Sequence, residues 1–222
     1  MTEDPEQQSN RLLEPTERIA AVLSGLIMVL TFTCSFSVAG AGRTEVRTML
    51  LAALGCNLAW GIIDGVFYLM GCFSKHGRNL VLMRQVQKGS AIQGTRILAG
   101  TMPRMLVTLL PEGALELMRQ RITALPPAPA GPRLTKEDLM GAASVALLIF
   151  LSTFPVLVPF LFFSEASQLR HALRISNVIA IAMMFLAGYS FGVHSGGRPW
   201  KTGISAVFFG AAMVGVAIPL GG

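Results

Sequence analysis

One carboxylate lies where a carboxylate is costly. Asp64 is the only charged residue in five long apolar stretches of the chain. A charge near the middle of a membrane span costs about 2.5–3.5 kcal/mol on insertion scales, which turns such a residue toward the protein interior. Its neighbours at helical spacing form a polar or small stripe: Asn57, Gly61, Asp64, Tyr68 and Cys72. Gly61 and Gly65 also form a GxxxG pair, which lets a second helix approach closely. Two chemistries fit this pattern. Asp64 is an ion or proton site with Asn57, Tyr68 and Ser24 as ion-path candidates, or it is a hydrogen-bonded carboxyl that locks two helices together.

Other polar and soft residues carry less. Ser24, Met28, Thr31 and Ser35 make a stripe in the first apolar stretch, and Ser or Thr there commonly bonds its own backbone or a neighbour. Pro155 and Pro159 in the third free backbone carbonyls that something must satisfy, as a kink or along a cavity. Met183 and Met184 read as apolar filling. Gly188-Tyr-Ser-Phe-Gly192 matches GxSxG, with His194 four residues after Ser190. That nucleophile elbow needs a strand-to-helix turn. Inside an apolar stretch, Gly188 and Gly192 read instead as a helix contact, and no catalytic residue is expected.

The elements that position these residues follow from composition. The 222 residues are 52% hydrophobic and 14% charged, where soluble domains carry about 25% charged residues. An apolar surplus of this size needs a lipid bilayer. The net charge of +6 lies between apolar blocks, as positive-inside bias predicts, and does not suggest nucleic acid. Cys34, Cys56 and Cys72 form no CxxC or Cys/His cluster, so no disulfide framework or zinc site is implied.

A membrane helix needs roughly 20 apolar residues. Stretches near Ile19–Ala41, Thr48–Phe73, Leu139–Ser164, Ile175–Val193 and Thr202–Leu220 qualify. The predicted fold is all-α and polytopic, with a tail over 1–18, helices 1 and 2 over 19–73, a helical insert over 74–136 and helices 3 to 5 over 137–222. The polar, acidic start (Glu3, Asp4, Glu6) is unlike a basic signal-peptide n-region, so the first stretch is read as a retained anchor. Fourteen of the 18 Lys and Arg residues fall on the side of the tail, the insert and the loop between spans four and five. That bias predicts a cytosolic N-terminus and insert, with the C-terminus outside.

Within the insert, Leu80, Val81, Met83 and Val86 recur at helical spacing among cations, and Pro103 and Pro111 divide it. A second helical half spans Glu112 to Ile122, with Glu112 and Glu116 on one face as a weak metal-ligand pair. Residues 125–132 form a semi-rigid Pro-rich linker. Thr135-Lys-Glu-Asp138 resembles a capping box opening the third span.

The stretch Leu54–Ser74 (LGCNLAWGIIDGVFYLMGCFS) resembles the second helix of the vacuolar iron transporter-like family. The matching positions are Leu54, Gly55, Asn57, Asp64, Gly65 and Gly71. Five spans, a cytosolic N-terminus, an insert after span two and the prolines Pro155 and Pro159 are similar too. The resemblance implies a homodimer in the bilayer that moves a divalent metal cation, as substrate rather than cofactor, with the insert binding metal. A bacterial cytoplasmic membrane is the expected location. The chain has Leu23-Ser24-Gly25 where that family has an Asn-Asp-Gly turn, Tyr68 near its methionine and Cys72 near its next acid. The insert sets Glu112 and Glu116 among ten cations, and such a basic surface repels divalent ions. Transport of a metal cation or a proton-coupled solute is therefore one expectation. The alternative is a scaffold or partner-docking protein that keeps the fold and has lost the ligands.

Overall fold

The breaks between helices fall where backbone chemistry puts them. The computed structural model describes residues 13–39, 43–163 and 168–217, all helix and connecting turn. The helices are α1 (Pro15–Ala39), α2 (Arg43–Lys88), α3 (Ala91–Thr101), α4 (Arg104–Leu109), α5 (Ala114–Ala124), α6 (Lys136–Ser152), α7 (Phe154–Phe162), α8 (Leu169–His194) and α9 (Pro199–Ala217). Contacts divide them into two units: the described residues up to Tyr68 with those from Lys136 on, and Leu69–Thr135.

In the first unit α1 packs against α6, α8 and α9, and α8 packs against α7 and α9. Leu26, Val29 and Leu30 of α1 meet Ala53 of α2, Val156 and Leu157 of α7, and Ala180 and Met184 of α8 in the main core. Proline explains the break between α6 and α7. Pro155 has no N–H, so the Leu151 carbonyl lacks its usual donor, and Thr153 N–H turns back to Phe150 O at 3.2 Å. Helix α8 ends at Gly196, whose φ of 69° suits glycine. Gly197 N–H then closes onto Gly192 O at 3.0 Å, the long bond of a Schellman turn. Pro199 opens α9, where a missing N–H costs nothing.

Three helical stretches are long and apolar enough to cross a membrane: Leu50–Lys88, Lys136–Phe162 and His171–His194. They expose large apolar side chains, including Ile62, Phe67 and Met70 on α2 and Leu161 on α7, while the part of α2 beyond Phe73 also exposes Lys75, Arg78 and Lys88. Contiguous apolar surface of this kind suits lipid, and soluble monomers rarely expose it. The first and last expected spans map to α1 and α9, and they extend onto Gly40, Ala41 and residues 218–220, which lie outside the described residues. Ser164 at the end of the third also lies outside them.

In the second unit the boundary expected at Ser74 does not end a helix. Helix α2 runs unbroken for 46 residues, about 69 Å at 1.5 Å per residue. The helix stops at Gly89, and Ser90 caps α3 in a capping box. Gln93 N–H donates to Ser90 Oγ, and Ser90 N–H donates to Gln93 Oε1.

The second helical half begins at Ala114 rather than Glu112, because Gly113 is left-handed at φ 84°. Helix α3 packs on α5, with Gly94 beneath the Arg119 stem. The Pro-rich segment is strapped along the end of α2. Gln87 Nε2 donates to the carbonyls of Leu125 and Pro126, each at 3.3 Å, Arg84 donates to Pro129 O, and His76 Nδ1 meets Arg133 O at 2.9 Å. A proline-rich chain has no internal hydrogen bonds, so its carbonyls are open to these donors.

Candidate functional site in the helix bundle

Three helices converge on the stripe, because glycine lets them. A Cβ on Gly61 would lie 2.8 Å from Ala146 O, and one on Gly65 would lie 3.0 Å from Ala142 O. Helix α6 thus rests directly on α2. One turn further on, the Tyr68 ring covers Gly141 in the same way. Helix α1 meets α6 at Gly25, where a Cβ would lie 2.7 Å from Ile149 O.

Asp64 is half-buried between these contacts. Its Oδ2 accepts a hydrogen bond from Ser24 Oγ of α1 at 3.3 Å. No lysine or arginine among the described residues pairs with it. Two helical turns earlier, Asn57 is fully buried. Its Nδ2 donates to Gly25 O at 3.2 Å and to Thr153 Oγ1 at 2.7 Å. Its Oδ1 is buried and has no hydrogen-bond partner among the described residues. An orphaned acceptor in a low-dielectric interior costs free energy, and a bound proton donor, water or cation would satisfy it.

The structure therefore brings Asn57, Asp64 and Ser24 to one polar seam and sets Tyr68 at its edge on α6. Sequence reasoning missed Thr153, which ties Asn57 to the α6–α7 break, and the neighbouring Ser152, whose Oγ donates to Ile149 O at 2.7 Å. It also missed two further polar links: Thr33 Oγ1 to Asn177 Oδ1 at 3.3 Å joins α1 to α8, and Ser176 Oγ to Val156 O at 2.7 Å joins α8 to α7. The usable signal was hydroxyl and amide residues inside apolar stretches, which act as glue between helices. Thr31 bonds its own backbone, to Ile27 O at 3.0 Å. The side chain of Ser35 lies outside the described ones. Pro155 is exposed and Pro159 is buried in α7.

Gly188 and Gly192 pack on α9, where a Cβ would lie 2.9 Å from Thr202 O and 2.7 Å from Pro199 Cα respectively. Ser190 sits between them inside α8, and His194 Nδ1 lies 2.8 Å from the Ser190 carbonyl rather than its hydroxyl. Ser190→Ala is expected to leave thermal stability within about 0.5 kcal/mol of wild type and any flux unchanged. A loss of flux in vesicles would contradict this packing role. Met184 is buried against Gly210, and Met183 packs on the same core.

In the insert the two glutamates of the expected pair do not share one helix. Glu112 lies in the turn before α5, which begins at Ala114 after the left-handed Gly113, whereas Glu116 is within the helix. Both carboxylate oxygens of Glu116 are taken by Arg119, at 2.8 Å from Nε and 2.7 Å from Nη2. That guanidinium holds the Glu116 carboxyl below its ordinary range, and Glu116 in turn pushes Arg119 up. Among the described residues, no three of His, Cys, Asp and Glu come together.

No family model matches the sequence, and no characterised protein matches it. The functional reading therefore stands on the seam itself.

Proposed function

We propose that the chain is a membrane transporter with five spans, in which Asp64 exchanges a proton for a cation. The single observation that carries this is a carboxylate in a helix long and apolar enough to cross a membrane, whose partner among the described residues is a hydroxyl, Ser24, and not a cation. An ionised carboxylate in such a place needs a positive charge beside it, and a neutral one needs a proton. Those two states are the two ends of an exchange cycle. The oxygens along the seam are hard donors, which suit a proton, an alkali or alkaline-earth cation, or manganese better than a soft metal. Helices α1 and α9 supply the first and fifth spans in this reading. The N-terminus and insert are cytosolic, the C-terminus is outside, and a homodimer in a bacterial cytoplasmic membrane is the working form. That assembly and the divalent substrate draw their support from the resemblance to vacuolar iron transporter-like proteins.

A second reading has its own observation. With Glu116 held by Arg119, the insert lacks an evident metal station, as a scaffold that docks a partner would. Infrared difference spectra of the protein in liposomes separate the two. Adding cation to wild type is expected to remove a protonated carboxyl band that Asp64→Asn lacks. A spectrum unchanged by every cation offered would favour the scaffold.

A further inference from the structure

We propose that the insert docks on an anionic lipid surface through α4 and the arginines near it. This rests on reading the chain as a membrane protein, and not on transport. Residues 69–135 carry Lys75, Arg78, Arg84, Lys88, Arg96, Arg104, Arg119, Arg121 and Arg133 against only Glu112 and Glu116. Arg119 already neutralises Glu116. Orientation in the membrane is set by cations within roughly 15–20 residues of a span end, and in the sequence Arg96 and Arg104 lie farther than that from the apolar stretches on both sides. They need another explanation.

Helix α4 needs one as well. It is six residues long and buries no side chain. Met105, Leu106 and Leu109 are 73%, 53% and 69% exposed. In water so short a helix is not stable on its own, because nucleation costs more than one turn returns. Arg104 in its first turn also opposes the helix dipole. At a headgroup layer both penalties reverse. The apolar side chains enter the acyl boundary, and the guanidinium meets lipid phosphate. Ile92, at 75% exposure, lies one turn from Arg96 on α3 and repeats the pairing of an apolar side chain with an arginine.

The test uses full-length protein in nanodiscs, with an environment-sensitive NBD probe on Leu106→Cys and, separately, on Leu109→Cys. Labelled wild type supplies the background from its own cysteines. In phosphatidylcholine and phosphatidylglycerol in equal parts, the probe is expected to shift to the blue and to be quenched by spin-labelled lipid. In phosphatidylcholine alone it reverts toward a water-like spectrum. Arg96→Gln and Arg104→Gln should each lower the ratio of docked to undocked protein about fivefold. A probe that stays water-like in both lipids overturns the proposal. So does one that shifts to the blue without lipid quenching, which would place α4 against protein. Either result leaves the Asp64 exchange standing, since that is read by flux.

Discussion

Gly61→Ala is expected to destabilise the protein by about 1–3 kcal/mol, and Gly61→Leu by more, as overpacking of a tight contact does. The reason is local. A Cβ at Gly61 would sit 2.8 Å from Ala146 O and 3.3 Å from Ala146 Cα, both backbone atoms of α6. No flexible side chain is there to give way, so α2 and α6 must separate. The same change at Gly55, on the same helix with nothing within 4 Å, should be neutral or stabilising by up to about 1 kcal/mol through helix propensity. Thermal unfolding in detergent measures both. Equal midpoints for Gly61→Ala and wild type would remove the close α2–α6 contact from the account. Because Asp64 lies one turn beyond Gly61, separation should also loosen its bond with Ser24, so flux should fall with stability in this variant.

Asn57→Ala is expected to cost about 1–3 kcal/mol. It removes two interhelical hydrogen bonds, to Gly25 O and Thr153 Oγ1, each worth about 0.6 kcal/mol on average and up to 1.7 in a membrane protein. A small cavity adds to the loss. Thr153→Val breaks only one of the two bonds and spares Asn57 Oδ1, so it should cost less. Transport separates glue from site. If Oδ1 serves the seam, Asn57→Ala lowers flux at temperatures where it is still folded, and Thr153→Val does not. Equal flux in both variants would make Asn57 a structural residue only.

Much of the seam was legible because a helix in lipid has few ways to place polar groups. Asn57, Gly61 and Asp64 recur on one face, and that face had to turn inward; Ser24 followed from the polar stripe in the first stretch. The partners across the seam were not legible. Nothing in the spacing of Thr153 says that it meets Asn57, because that contact depends on where Pro155 breaks the third stretch. The end of α2 was misplaced for a different reason. The arrival of Lys75 and Arg78 ends the apolar run, but lysine, arginine, leucine and glutamine are all good helix formers, and the helix continues until Gly89 and Ser90. Composition marks where lipid ends, and capping marks where the helix ends. The shared face expected for Glu112 and Glu116 assumed one helix over both, and the helix begins only at Ala114, after the left-handed Gly113. The Pro-rich segment was visible as a semi-rigid linker from its composition, while its attachment to Gln87 and Arg84 required the fold.

The central claim is that the Asp64 carboxylate carries a cation. Its most direct measurement is cation-resolved uptake into liposomes with internal pH recorded, comparing wild type with Asp64→Asn at matched incorporation. Wild type is expected to exchange protons for at least one cation, and Asp64→Asn to lose about tenfold or more of that rate, the equivalent of some 1.4 kcal/mol. Uptake that is unchanged in Asp64→Asn, or no uptake of any cation by wild type, would contradict it.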